Sequence, residues 1–112
     1  MNWKNLSDAE GLEEIKRKSA HTPQVIFKHS TRCSISSMAK SRLERIAPPK
    51  EIDFNFLDLI SHRDISAKVA DEFNVEHESP QILLIKNGEC VYDESHTGIS
   101  MDEIIEQAGI SN

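Results

Sequence analysis

Apolar positions along this chain switch repeatedly between two periods, and each switch marks an element. Val25, Ile26 and Phe27 form a short apolar run after a His-Thr-Pro break at 21–23, which predicts a strand over Gln24–Ser30. Its apolar residues fall on successive positions, so this strand is expected in mid-sheet, covered on both faces. Beyond Cys33, the residues Ile35, Met38, Ala39, Leu43 and Ile46 recur at three- and four-residue intervals. That spacing predicts a helix, stopped at Ala47 because Pro48-Pro49 cannot continue it. Ile52, Phe54 and Phe56 alternate with Asp53 and Asn55, which is strand period, and Asp58–Ile60 extends the strand less regularly. Ile65, Val69 and Phe73 mark the inner face of a helix that Asp64 is placed to cap.

After Glu78-Ser79-Pro80 comes a continuous apolar strand, Ile82–Ile85. Asn87-Gly88 is a two-residue hairpin signal of type I′, so the next strand, Glu89–Glu94, runs antiparallel to it. The two ends are also punctuated. Trp3–Leu6 predicts a short opening strand. Ser7 with Glu10 fits a capping box before a helix that turns Leu12, Ile15 and Ser19 inward and ends near Ala20. Past Gly98, a second capping box (Ser100, Glu103) opens a last helix with Met101, Ile104, Ile105 and Ala108 inside and Gly109 at its C-terminal cap.

The order is therefore (β)αβαβαββα. Its central strand–helix–strand unit is parallel with a right-handed crossover, and its late hairpin is antiparallel. With Cys33 at the start of the first crossover helix and Pro80 opening the third main strand, the expectation is an α/β, thioredoxin-like fold: one domain over residues 1–112, with a mixed central sheet of four to five strands and helices on both faces. Composition changes little in this picture. A net charge of −6 lacks the basic surface that non-specific nucleic-acid binding needs. No apolar run approaches the roughly 18 residues of a membrane span, and the first 20 residues lack the apolar core of a signal peptide. Two cysteines 57 positions apart do not make a secreted disulfide framework, so a reducing cytoplasm is expected.

Chemistry concentrates at Cys33. It falls between a buried strand and a helix start, where unpaired N–H groups and the helix dipole favour an anion and so stabilise a thiolate. Arg32 adds a full positive charge beside it, available to the thiolate or to a carboxylate of a small thiol. Lys28 is a weaker candidate of the same kind, and His29 could lend charge or be a satisfied, part-buried residue. Dithiol redox motifs carry a second cysteine at i+3; here that position is Ser36. Its hydroxyl can hydrogen-bond the thiolate but cannot close a disulfide. Cys90, in the late strand, is expected to be inert. The five histidines show no zinc spacing, so no metal site and no tightly bound cofactor are expected.

The segment Phe27-Lys28-His29-Ser30-Thr31-Arg32-Cys33-Ser34-Ile35-Ser36, with Ser79-Pro80-Gln81 and Ser95-His96, resembles the YtxJ-type monothiol bacilliredoxins over essentially the whole chain. The resemblance implies a thioredoxin-fold reductase that removes bacillithiol, its low-molecular-weight thiol cosubstrate, from mixed disulfides on other proteins. By position, Cys33 matches the family's reactive cysteine and Pro80 the fold's cis-proline, whose preceding backbone would pair with an extended substrate. Cys33, Ser36 and Arg32 are then the catalytic candidates, and Lys28, Thr31, Ser79 and Pro80 the substrate-binding ones. The partners implied are bacillithiolated proteins and a small thiol, met by a monomer without nucleic acid or membrane. Two other classes stay open on the residues alone. Monothiol glutaredoxins, which carry iron–sulfur clusters, also place Ser at i+3, although the Gly-Phe-Ser of that family is Ser34-Ile35-Ser36 here. A non-catalytic thioredoxin-like binding module would leave Cys33 without purpose.

Overall fold

β2 (Gln24–His29) lies at the middle of a five-stranded sheet ordered β1-β3-β2-β4-β5. The computed structural model of the chain describes residues 1–110. Around β2 run β1 (Lys4–Asn5), α1 (Ala9–Lys18), α2 (Ser34–Glu44), β3 (Asp53–Asp58), α3 (Arg63–Phe73), β4 (Gln81–Lys86), β5 (Glu89–Ser95), a short 3-10 turn (His96–Gly98) and α4 (Met101–Ala108). β1 and β2 flank β3 in parallel, β4 runs antiparallel to β2, and β5 closes the hairpin antiparallel to β4. The mixed sheet with helices on both faces is the architecture the hydrophobic pattern predicts.

Strand alternation sorts the core into two layers. Val25, Phe27, Phe54, Ile82 and Leu84 point to one face, where Ala39 and Leu43 of α2 and the inner side of α4 cover them. Ile26, Leu57, Leu83 and Ile85 point to the other, against Leu12 and Ile15 of α1 and Ile65, Val69 and Phe73 of α3. All six residues of β2 are buried, as its unbroken apolar start requires. The hairpin turn is also as expected: Asn87 (φ 53°) and Gly88 (φ 76°) both occupy the left-handed region that a type I′ turn demands. No helix among the described residues is long and apolar enough to cross a membrane.

Boundaries and caps differ in several places. The opening strand shrinks to Lys4–Asn5, the residues in register with Asn55 and Phe56 of β3, and Leu6 adds one last bond from its N–H to Phe56 O at 2.8 Å. Asp8, not Ser7, caps α1: its Oδ1 accepts the Gly11 N–H at 2.7 Å. α3 starts two residues early, with His62 at the cap and Asp64 inside the first turn, where its charge still suits the dipole. α2 ends at Glu44, before Ala47, since the residues leading into Pro48 are steered away from helix. Its apolar residues also divide. Ala39 and Leu43 are buried with Ser36, while Ile35, Met38 and Ile46 lie in solvent. A helix resting on a sheet covers only one stripe, and residues 36, 39 and 43 occupy it.

Candidate functional site

Cys33 stands at the junction between the loop leaving β2 and the first turn of α2. It is the N-cap residue, in extended backbone (φ −110°, ψ 121°), partly exposed, and its side chain makes no capping bond. The first intrahelical bond comes from Ser37 N–H to the Cys33 carbonyl, and Cys33 N–H turns back to Ser30 O at 3.1 Å. The thiol is thereby held at the start of a helix whose first turn no side chain caps. Thr31 and Arg32 are exposed at the tip of the same loop.

Beneath the loop lies a buried polar floor. Ser36, one turn along α2, is fully buried, and its Oγ sits 2.6 Å from Nδ1 of the equally buried His29. The same Oγ accepts the Ser30 N–H at 3.1 Å. Burial pushes the His29 imidazole below the usual histidine value, and the Lys40 ammonium adds to the effect. A neutral ring with its proton on Nε2 accepts the Ser36 O–H at Nδ1 and leaves the hydroxyl lone pairs for Ser30, so both bonds close. The serine that replaces a second thiol is therefore tied to His29 and the loop backbone. The sequence reading that it hydrogen-bonds the Cys33 sulfur gives way to this arrangement, because a buried hydroxyl takes the partners packed against it.

His29 in turn rests on aromatic rings from two strands. Phe27 and Phe56 lie 5.6 Å and 5.3 Å from its ring, and Trp3 stacks on Phe27 at 5.5 Å. Trp3 also ties back to α2 by donating to Glu44 Oε2 at 2.8 Å. These rings come from β2, β3 and the residue just before β1, and no local spacing could have assembled them. The one signal in the chain was a histidine continuing the apolar alternation of β2 on the side of Val25 and Phe27.

Lys28 takes the opposite face of the strand and is fully buried. Its ammonium donates to the Ser66 carbonyl and to His77 Nδ1, both at 3.1 Å. Burial without a carboxylate partner pushes its pKa down to about 8. The structure brings Lys28 to α3, not to the thiol, and leaves it no exposed atom for a substrate. The alternation of β2 sends it there: Phe27 and His29 face α2, so Lys28 must face α3.

Pro80 follows Ser79 through a cis peptide bond and is buried at the end of β4. The antiparallel pairing of Lys28 with Gln81 sets this junction at the same end of the sheet as the Cys33 loop. Pro80 O accepts the His96 N–H at 3.0 Å, while Ser79 Oγ is buried with no hydrogen-bond partner. Among the described residues, neither the amide nor the carbonyl of Ser79 takes part in a backbone–backbone hydrogen bond.

Cys90 is remote. It pairs with Ile85, which pairs with Gln24 at the far end of β2. The five steps from Gln24 to His29 alone span roughly 15–17 Å of strand. The Cys90 thiol packs with the α1/α3 layer, donates to Tyr92 O at 3.3 Å, and is pushed up by burial. Among the described residues, no group of three or more His, Cys, Asp or Glu side chains converges on a point that could hold a metal ion.

A mixed sheet that presents a partly exposed cysteine at a helix start, with serine at i+3 and a cis-proline at the same end of the sheet, is a thioredoxin-fold arrangement with a single thiol at its site. Known structures share this fold. One thioredoxin-fold protein described as an oxidoreductase is 28% identical, aligned over 93% of this chain and 91% of its own with a TM-score of 0.82. Thioredoxins of Malassezia sympodialis (16% identity, TM-score 0.77, covering 96% of this chain and 91% of that one) and Trypanosoma brucei brucei (13%, 0.76, 96% and 88%) share the fold. The sequence model of the monothiol bacilliredoxin family BrxC matches residues 4–104, and the chain belongs to that family. Its role lies in thiol redox chemistry within a low-molecular-weight thiol system.

Proposed function

We propose that the protein removes bacillithiol from mixed disulfides on other cytoplasmic proteins, with Cys33 as the nucleophile. The observation that carries this reading is the pairing of a partly exposed Cys33 at an uncapped helix start with a buried, fully engaged Ser36 at i+3. The Cys33 thiolate attacks the bacillithiol sulfur of a protein–bacillithiol disulfide. A new Cys33–bacillithiol disulfide forms, the old disulfide breaks, and the substrate cysteine leaves as a thiolate that takes a proton from solvent. With no second thiol in reach, the adduct waits for an external thiol. That thiol attacks the bacillithiol sulfur, releases Cys33 reduced, and is itself oxidised into the departing disulfide.

Arg32 and Thr31 sit where they can meet the small thiol's polar groups, Arg32 through a carboxylate. The unpaired Ser79 backbone groups are suited to an extended substrate segment laid beside Pro80. Lys28, buried on the other face, supports the fold of this end of the sheet and is not assigned a contact. Intact-mass measurement tests the reading. Wild type incubated with a bacillithiolated substrate protein is expected to gain the mass of one bacillithiol on Cys33, while Cys33→Ser gains none. A wild type that stays unmodified while the substrate keeps its adduct would sink the assignment.

A further inference from the structure

The outward stripe of α2 carries a feature the transfer chemistry does not use. Ile35, Met38, Arg42 and Arg45 follow one another at intervals of three, four and three residues, so they line one side of the helix, starting at Cys33 and running away from it. Ile35 is 51% and Met38 63% exposed. Beyond them a groove of about 370 Å³ is lined by Ser37, Met38, Ser41, Arg42 and Arg45. Arg42 forms its wall, donating from Nη2 to the His96 carbonyl at 3.1 Å and to the Ile99 carbonyl at 3.3 Å.

Charge on this stripe is opposite to that of the molecule. The chain has 19 acidic residues against 13 basic and a net charge of −6. Yet from Ser30 to Ala47 there are Arg32, Lys40, Arg42 and Arg45 and a single acid, Glu44, which is bonded to Lys40 and Trp3. Among the described residues, no carboxylate lies within 4 Å of the Arg32, Arg42 or Arg45 guanidiniums. Three unneutralised arginines flanking two exposed apolar side chains ask for a partner that brings both carboxylates and an apolar anchor. Met38 adds the adaptability of an unbranched thioether to such a surface. From Ile35 to Arg45 the stripe is roughly 15 Å long, the reach of four to five residues of extended chain and more than a small thiol fills.

We infer that this face of α2 is a docking strip for acidic, apolar-anchored segments of the protein substrates whose mixed disulfide is presented to Cys33. The inference rests on Cys33 being the reacting group, and it names the substrate class: proteins whose modified cysteine is flanked by an acidic stretch.

Amide chemical shifts of the reduced full-length chain test it without any transfer step. The probes are a seven-residue, cysteine-free peptide with Leu and Phe set among Glu and Asp, and its counterpart with Lys in place of every acid. The acidic peptide is expected to shift amides of residues 35–45 and to bind about tenfold or more tighter than the basic one at low salt. That advantage shrinks in high salt, because these charges are exposed. Arg45→Glu should remove or invert the preference, and Met38→Ser should weaken the acidic peptide by several-fold with the fold intact. Equal binding of the two peptides, shifts centred away from α2, or a concentration-dependent dimer that shifts the same amides without peptide would each overturn the inference. Loss of bacillithiol transfer to Cys33 would instead overturn the proposed function, and the peptide titration reads out independently of it.

Discussion

His29 Nδ1 and Ser36 Oγ meet at 2.6 Å in the buried floor under the Cys33 loop, joining the last residue of β2 to the first turn of α2. Because Ser36 Oγ also accepts the Ser30 N–H, the three groups fix the loop that carries the thiol at both of its ends. Ser36→Ala strands a buried imidazole nitrogen and a backbone N–H. It should cost about 1–3 kcal/mol, read as a lower melting temperature of the reduced protein. An unchanged melting temperature would show that this contact does not hold the loop. The acid limb follows from the same site. Both His29 and His77 are depressed by burial, so the folded state resists their protonation. Stability is present above the unfolded histidine value of about 6.5 and is lost as pH falls below it. His29→Gln should shallow that loss in chemical-denaturation series between pH 7 and 5.

A second thiol at position 36 would convert the mechanism. Ser36→Cys should turn the Cys33–bacillithiol adduct into an internal disulfide between residues 33 and 36, seen as loss of the adduct and of two hydrogens from the intact mass. Cys90→Ser should leave the wild-type adduct on Cys33, since Cys90 lies at the opposite end of the sheet. Alkylation at neutral pH should mark Cys33 well before Cys90, whose thiol is pushed up by burial and donates to Tyr92 O. A disulfide between Cys33 and Cys90 in oxidised wild type would refute the monothiol scheme.

Lys28 predicts an unusual alkaline limb. Its pKa of about 8 lies below that of an unfolded lysine, so between those values the unfolded chain holds a proton the folded one does not. Stability should therefore rise with pH across roughly 8 to 10, by on the order of 2–3 kcal/mol from this group. Lys28→Met should remove that rise. Parallel slopes for wild type and variant in denaturant titrations at pH 7.5 and 9.5 would mean the ammonium is not buried as described.

The hairpin gives a test of fold alone. Gly88→Val forces a β-branched residue to φ 76° and should cost about 1–2 kcal/mol, lowering the melting temperature. The surviving folded fraction should still accept bacillithiol on Cys33. A variant as stable as wild type would count against the turn and against the pairing of β4 with β5.

Element order, the buried central strand, the type I′ turn and the placement of Cys33 at a helix start were all legible in the chain. Each rests on interactions among near neighbours: apolar period, proline and glycine geometry, the unpaired amides of a first turn. Three things were decided only when the sheet assembled. Strand alternation set His29 toward α2 and Lys28 toward α3, although both are polar residues at the end of one strand and a sequence offers no sign of which face a helix will cover. Ser36 Oγ took His29 rather than the thiol as its partner, because a buried hydroxyl bonds to whatever the packing brings within reach. The apolar positions of α2 could not all be buried by a sheet that touches one stripe, so packing at residues 36, 39 and 43 left Ile35 and Met38 in water beside the arginines. Local sequence determines which side chains a helix or strand displays; only the contact between elements determines which of them solvent still reaches.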